Sequence, residues 1–156
     1  MSAKVVVGRK IPDAALLLTG GQKAKLSDFR GRHLVLYFYP RDNTPGCTAE
    51  GEDFRDQYKR YQKLNAAILG VSRDSLASHD KFKTKHKFPF DLVSDEDEKL
   101  CKLFDVIREK TLYGKKHLGV ERSTFLIDKD GVLRKEFRGV KVTGHVQAVL
   151  EEIEKL

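Results

Sequence analysis

LVLYFYPRDNTPGCT, residues 34–48, predicts a strand, a loop and the start of a helix. Its first six residues are apolar or aromatic on both faces, which is typical of a strand buried in the middle of a sheet. Pro40 ends that strand because it cannot donate a hydrogen bond to a neighbouring strand. Thr44 and Pro45 are residue types that favour a helix N-cap and the first helical position. Cys47 is therefore expected in the first turn of the helix.

Patterns on both sides of this segment alternate between strands and helices. Before it, Ala15–Leu18 and residues 23–26 flank a Thr-Gly-Gly turn and predict an N-terminal β-hairpin. The other predicted elements, in chain order, are a helix from Thr44 to about Leu64, a strand over 67–71, a helix over 75–86, a strand over 90–93, a helix over 95–104, a hairpin over 124–137 and a final helix capped by Thr143. This order predicts an α/β fold with a central mixed β-sheet flanked by helices, compatible with a thioredoxin-like core. No linker or repeat divides residues 1–156, so we expect a single domain.

The composition favours a globular protein that works in water. The chain has 156 residues, of which 40% are hydrophobic and 34% are charged, a balance typical of neither disordered nor membrane-embedded proteins. Its longest apolar run, residues 34–39, is far shorter than the ~20 residues that cross a bilayer. The N-terminus lacks the pattern of a secretory signal. We therefore expect a cytoplasmic protein with no membrane partner.

The net charge of +7 raises nucleic-acid binding as an alternative function. Acidic residues are interleaved with the basic ones, however, as in EDFRDQYKR and EDEKLCKLFD. No phosphate-binding glycine loop or zinc-finger spacing is present. The two cysteines and five scattered histidines also lack the spacing of a metal site. These patterns predict no nucleic-acid partner, no metal and no cofactor; the basic excess favours small anions or acidic partners instead.

Cys47 is the residue with the clearest chemical potential. Its expected position in a first helical turn favours an anion, because the backbone N–H groups there lack partners and the helix dipole is positive. A thiolate is such an anion, and the thiolate is the nucleophilic form of cysteine. Thr44 lies one turn earlier, so its hydroxyl can reach the sulfur or a bound oxygen ligand. The alternative is that Cys47 packs as a small apolar residue and Thr44 only caps the helix.

The segment PRDNTPGCT, residues 40–48, matches the Pro-x-x-x-Thr-x-x-Cys signature of peroxiredoxins. The chain resembles the bacterioferritin comigratory protein, or peroxiredoxin Q, subgroup over nearly its whole length. The stretches that carry this resemblance are IPDAALLLTGG, LSDFRGRHLVLYFYP, FYPRDNTPGCTAE, ILGVSRDSLASHDKF, the Tyr113–Lys115 stretch and RSTFLID. The resemblance implies a thioredoxin-like fold and a thiol-dependent peroxidase that reduces hydrogen peroxide and organic hydroperoxides, with a role in antioxidant defence.

The same resemblance implies roles for residues around the motif. Cys47 would attack the peroxide and become a sulfenic acid. The Thr44 hydroxyl and the backbone N–H groups of Gly46 and Cys47 would bind the peroxide. Pro40 would shield the sulfur from bulk water and fix the loop.

Two charged residues complete the implied site. Arg122, in GVERSTFLID, corresponds to the active-site arginine of the family and would stabilise the thiolate while polarising the peroxide. The alternative is an ordinary surface arginine before a strand. Glu50, one turn after Cys47, would orient Arg122 through an ion pair, or else occupy a solvated helix position.

The chain departs from the family pattern at its second thiol. Many relatives carry a resolving cysteine in the same helix or in the next one; here Glu52 and Lys83 occupy those positions. Cys101 is the only other thiol. It is expected to be a half-buried, inert thiol, unless its helix unwinds to form a disulfide with Cys47. We therefore expect a one-cysteine mechanism in a monomer, or a transient dimer, in which thioredoxin, glutaredoxin, glutathione or a second subunit supplies the resolving thiol.

Two other classes of function remain as alternatives. A thiol–disulfide oxidoreductase on the same fold would carry Cys-x-x-Cys at the helix start, and Thr44 stands where its first cysteine would be. A non-enzymatic binding module would use the net positive charge instead. Replacing Cys47 by serine separates both from a peroxidase, because only the peroxidase loses turnover.

Overall fold

The predicted buried strand lies in the middle of a seven-stranded mixed sheet. The computed structural model describes residues 5–156. Its strands are β1 (Ala15–Leu18), β2 (Gln22–Lys25), β3 (His33–Phe38), β4 (Ala66–Ser72), β5 (Asp91–Ser94), β6 (Ile107–Leu112), β7 (Lys115–Val120), β8 (Ser123–Ile127) and β9 (Leu133–Arg138). Its α-helices are α1 (Pro45–Asp56), α2 (Tyr58–Lys63), α3 (Leu76–His86), α4 (Lys99–Leu103) and α5 (His145–Glu154).

The sheet has the strand order β2-β1-β5-β4-β3-β8-β9. Strands β3, β4 and β5 run parallel, whereas β1, β2, β8 and β9 join through antiparallel pairs. In the antiparallel ladder between β3 and β8, Phe38 pairs with Ser123. This register matters for the site, because it sets the residues before β8 beside the loop that follows β3.

Side chains of β3 alternate between two separate hydrophobic clusters. Leu34, Leu36 and Phe38 pack into the cluster on one face of the sheet, together with residues of α4. Val35 and Tyr37 pack into the cluster on the other face, together with residues of α1, α3 and α5. The run is apolar at every position because both faces of this strand are covered. The predicted central mixed sheet, flanking helices and N-terminal hairpin are confirmed.

The predicted helix from Thr44 to Leu64 is wrong in its continuity. It is broken at Gln57, whose φ of −101° and ψ of 6° leave the helical range, so that α1 and α2 are separate. Beyond the break Tyr61 is fully buried, and its hydroxyl donates to the carbonyl of Val146 at 2.8 Å. The second segment, α2, therefore packs against α5.

The predicted helix over 95–104 is also too long at its start. The Asp95 carboxylate accepts the N–H groups of Leu100 and Cys101 at 3.0 and 2.8 Å. Glu98 has a φ of +63° and lies outside the helix. Residues 95–98 thus form a turn, and the side chain of Asp95 satisfies the first N–H groups of α4.

Two further differences involve turns. The final helix begins at His145 after Gly144, which has a φ of +76°, so Thr143 is not its cap. The hairpin β6–β7 is not predicted from the sequence. Its strands are exposed on both sides except near their base, so they lack the apolar–polar alternation that marks a half-buried strand.

No helix within residues 5–156 is both long enough and apolar enough to cross a membrane.

Candidate active site

Cys47 lies where the sequence predicts it, in the first turn of α1. Thr44 is the N-cap and Pro45 is the first helical residue. The N–H groups of Gly46 and Cys47 are among the first of the helix, so they have no acceptor within it. The Cys47 side chain is 2% exposed and packs against the sheet with the Tyr37 cluster. The sulfur is thus nearly inaccessible to solvent, and it lies at the end of the helix that favours negative charge.

Arg122 contacts this sulfur. Its Nη2 donates to the Cys47 Sγ at 3.4 Å, and its Nη1 donates to Glu50 Oε1 at 2.7 Å. The contact follows from the sheet register, because Arg122 precedes Ser123, which pairs with the last residue of β3. The three side chains predicted as nucleophile, cation and orienting carboxylate are therefore brought together.

Gly46 allows this approach of the guanidinium. A Cβ atom at Gly46 would lie 3.1 Å from Arg122 Nη2, closer than a comfortable contact. The absence of a side chain therefore leaves room for Arg122 over the start of α1. This steric role was not anticipated from the sequence, which pointed only to the backbone N–H of Gly46.

Glu50 is completely buried, and only one of its two carboxylate oxygens has a hydrogen-bond partner. Its Oε1 accepts from Arg122, whereas its Oε2 has no hydrogen-bond partner. Burial raises the pKa of Glu50 to about 7, although the charge and hydrogen bond of Arg122 lower it. For Arg122, burial lowers the pKa, but the charges of Glu50 and Cys47 outweigh burial and raise it. The guanidinium thus remains charged between two acidic groups.

Two buried residues that the sequence did not single out border this site. Burial, and then the charges of Glu50 and Cys47, raise the pKa of Tyr37 well above its usual value, so it remains a neutral phenol. Burial and the charge of Arg122 lower the pKa of His145 to about 4, so it is neutral at neutral pH. The period-two alternation of β3 could have identified Tyr37, since it points to the same side of the sheet as Val35. No local pattern marks His145.

Thr44 is at the predicted position, but its hydroxyl makes a different contact. The Oγ1 donates to the carbonyl of Arg41 at 2.8 Å, and Thr44 makes no side-chain cap bond to α1. Thr44 is thus the N-cap residue as predicted, but without a side-chain bond to the helix. Asn43 before it has a φ of +61°, and the Thr44 hydroxyl bonds back to the loop instead. Pro40 follows Tyr39, whose N–H donates to Val71 of β4, and ends the extended segment as predicted.

Cys101 lies on the other side of the sheet from Cys47. It belongs to the cluster that contains Leu36 and Phe38, whereas Cys47 belongs to the cluster that contains Tyr37. Cys101 is completely buried rather than half-buried as predicted. Burial, and then the neighbouring Asp95 carboxylate, raise the pKa of the Cys101 thiol. Both effects disfavour the thiolate that disulfide chemistry needs.

Replacing Glu50 by glutamine should change how stability depends on pH. The raised pKa of Glu50 means that the folded protein binds this proton more tightly than the unfolded chain does. Wild-type stability should therefore fall as pH rises from about 4.5 to about 7, by about 3 kcal/mol from this group, and then level off. Glutamine does not titrate, so the stability of Glu50→Gln does not decrease in this way.

Urea unfolding of both proteins at several pH values measures this difference. The measured quantity is the free energy of unfolding of Glu50→Gln minus that of wild type. Because the other groups titrate alike in both proteins, this difference should increase by about 3 kcal/mol between pH 4.5 and a pH above 7. Parallel stability curves across this range would contradict the expectation.

Comparisons with known proteins identify the family of the chain. Residues 7–136 match the model of the AhpC/TSA family. Peroxiredoxin Bcp of Bacillus subtilis is 49% identical over 152 residues, covering 97% of each chain. Peroxiredoxin Bcp of Xanthomonas campestris is 54% identical over 138 residues, covering 88% of this chain and 86% of the relative. A solved structure of Xanthomonas campestris Peroxiredoxin Q superposes with a TM-score of 0.88 at 52% identity, covering 91% of this chain and 90% of that one. The chain therefore belongs to the AhpC/TSA family, as a peroxiredoxin enzyme with a thioredoxin-like fold.

Proposed function

We propose that this chain is a one-cysteine peroxidase in which Cys47 reduces the peroxide and an external thiol restores it. The observation that carries the proposal is the contact of Arg122 with both the Cys47 sulfur and the Glu50 carboxylate. A guanidinium held in this way stabilises negative charge on the sulfur before the reaction and on the leaving oxygen during it. Glu50 acts by fixing the orientation of Arg122.

The first step transfers one oxygen atom to sulfur. The Cys47 thiolate attacks the terminal peroxide oxygen, an S–O bond forms and the O–O bond breaks. The leaving oxygen takes up a proton and departs as water or an alcohol. Sulfur is oxidised to a sulfenic acid while the peroxide is reduced.

Groups at the start of α1 bind the peroxide in line with the sulfur. The N–H groups of Gly46 and Cys47 lack acceptors within the helix and can donate to the peroxide oxygens. The Thr44 hydroxyl oxygen can accept a hydrogen bond from the peroxide O–H while it donates its own hydrogen bond to the carbonyl of Arg41. Pro40 at the end of the strand limits access of water to the sulfur.

The substrates are hydrogen peroxide and organic hydroperoxides. Support for the second class comes from a solved relative, the Bacterioferritin Comigratory Protein of Xanthomonas campestris, whose structural report concerns its alkyl peroxide reduction activity. That relative is 51% identical and superposes with a TM-score of 0.88. The chemistry above needs only the terminal oxygen of the peroxide, so it applies to both classes.

The second half of the cycle uses a thiol from another molecule. A disulfide requires Cα atoms within about 7 Å of each other, and Cys101 packs on the face of the sheet opposite to Cys47. An external thiol therefore attacks the sulfenic acid, releasing water and forming a mixed disulfide. A further thiol then reduces this disulfide. Thioredoxin, glutaredoxin and glutathione are suitable reductants, and the reducing cytoplasm that contains them is the proposed location of a monomeric enzyme.

Single-turnover mass spectrometry of wild type and Cys101→Ser tests this proposal. After one equivalent of peroxide, both proteins should carry a dimedone-trapped sulfenic acid on the Cys47 peptide, and both should reduce peroxide at the same rate. Cys101→Ser should also turn over with an external dithiol. This result is expected because Cys101 is buried behind the sheet. A quantitative disulfide between positions 47 and 101 in wild type, absent in Cys101→Ser, would contradict the one-cysteine mechanism. Failure of either protein to consume peroxide would contradict the peroxidase itself.

A further inference from the structure

We propose that a buried ion pair between Asp42 and His79 positions the peroxide-binding loop, residues 40–44; this inference rests on the proposed function. His79 lies in α3 and is completely buried. Asp42 lies in the middle of the loop between β3 and α1, and its side chain is 1% exposed. The pair joins the loop to a helix on the same side of the sheet as Cys47.

The proposed ion pair requires a protonated His79, and the hydrogen bonds of the ring fit that form. Its Nε2 lies 2.9 Å from the carbonyl oxygen of Val93, which can only accept, so Nε2 carries a proton. Its Nδ1 lies 2.8 Å from Asp42 Oδ2. The Asp42 carboxylate also accepts hydrogen bonds from two hydroxyl groups, those of Tyr39 and Ser78. A carboxylate can only accept, so in the proposed pair Nδ1 donates to Asp42 and both ring nitrogens carry protons.

Asp42 is the centre of the network that holds the loop. Its Oδ1 accepts from the Tyr39 hydroxyl at 2.6 Å, and its Oδ2 accepts from the Ser78 hydroxyl at 2.8 Å. Its backbone N–H donates to the Asp74 carboxylate at 2.9 Å. The charged and titratable groups that meet here are therefore Tyr39, Asp42, Asp74 and His79. Both nitrogens of His79 are already bonded, so this cluster does not offer a ring nitrogen to a metal.

The loop held in this way connects the two ends of the peroxide site. Pro40 precedes Asp42, and Thr44 follows it by two residues. Asn43 has a φ of +61°, a conformation that costs energy in a residue with a side chain. The contacts of Asp42 fix the chain immediately before this turn. Loss of the ion pair should therefore release Thr44 and Pro40 from the positions that orient a peroxide.

The ion pair does not touch the groups that stabilise the thiolate. Those groups are the first N–H groups of α1 and Arg122, which contacts Glu50 and the sulfur but not Asp42 or His79. The proposal therefore separates two properties of Cys47. Reaction with peroxide depends on the positioned loop, whereas reaction with a simple alkylating agent depends only on the thiolate and its exposure.

The test compares these two reactions in Asp42→Asn, His79→Gln and the double variant. Each single variant should lower the rate constant of Cys47 with hydrogen peroxide at least about ten-fold, because misplacement of reacting groups by an ångström has effects of this size or larger. The rate of alkylation by iodoacetamide should stay the same or rise, because a released Pro40 no longer shields the sulfur. The double variant should lose no more than a single variant, because either change already breaks the pair. His86→Gln is the matched control, since His86 ends the same helix and faces Glu52 instead; its peroxide reaction should equal that of wild type.

Several results would overturn the proposal. Unchanged peroxide rates, losses that multiply in the double variant, or equal loss in both reactions would each show that the pair does not position the loop. If the variants fail to fold, nitrogen NMR of the wild type decides: His79 should show two ring N–H protons at neutral pH, and one would overturn the ion pair. A wild type that alkylates but does not react with peroxide would overturn the proposed function as well, whereas losses seen only in the variants concern the loop alone.

Discussion

Cys47→Ser should lose all measurable peroxide turnover while keeping the fold. Serine has nearly the shape of cysteine, and the site is a nearly dry position against the sheet, so packing changes little. A serine hydroxyl does not ionise near neutral pH, and its oxygen cannot accept an oxygen atom from a peroxide. Peroxide consumption in the presence of excess dithiol should therefore fall to the rate of the dithiol alone.

Cys101→Ser is the matched control for this prediction. It makes the same substitution at the other cysteine, which is also buried, and it should keep the wild-type rate of peroxide reduction. Circular dichroism and thermal unfolding confirm that both variants are folded. If Cys47→Ser keeps residual turnover that disappears when Cys101→Ser is added to it, the chemistry belongs to Cys101, and the role of Cys47 is contradicted.

Arg122→Ala should slow the reaction of Cys47 with peroxide by at least about ten-fold, the lower range of effects seen when a preorganised charge or donor is removed. The variant loses the donor 3.4 Å from the sulfur and the charge that pairs with Glu50. It also leaves the Glu50 carboxylate buried without its partner, so the carboxyl becomes protonated more readily. The second-order rate constant of Cys47 with peroxide should therefore fall.

Two further variants make this prediction specific. Arg122→Lys keeps a positive charge but cannot contact the sulfur and Glu50 with one planar group, so it should restore part of the rate. Arg134→Ala removes an arginine that pairs with Asp128 near the surface, and it should leave the rate unchanged. A folded Arg122→Ala with the wild-type rate constant would exclude Arg122 from the reaction.

Local sequence was sufficient to predict the strand, the loop and the placement of Cys47 at the start of α1. The apolar run before Pro40 and the threonine–proline pair before Gly46 act through backbone rules that involve only near neighbours. The prediction failed at two helix boundaries. The first helix is broken at Gln57, and α2 beyond it packs on α5 through the bond of Tyr61 to Val146. The Asp95 carboxylate takes the place of the first turn of α4.

The chemistry around Cys47 depends on contacts that no local pattern contains. Arg122 lies 75 residues from Cys47 along the chain, and it reaches the sulfur because the β3–β8 register brings the start of β8 beside the end of β3. The resemblance to peroxiredoxins identified Arg122, but not its distances or the full burial of Glu50. A pKa near 7 for Glu50 follows from that burial and from one unpartnered oxygen, both properties of the packed site.

The question of the second thiol was also open in the sequence. Cys101 falls among Leu100, Leu103 and Phe104, a pattern that favours an inert thiol but leaves open a helix that unwinds to reach Cys47. The side of the sheet on which each helix packs is set by the crossover connections of the whole domain. Because α1 and α4 cover opposite faces of β3, the two sulfurs are separated by the sheet itself. Spacing along a chain cannot specify this separation, since it arises only when the strands are assembled.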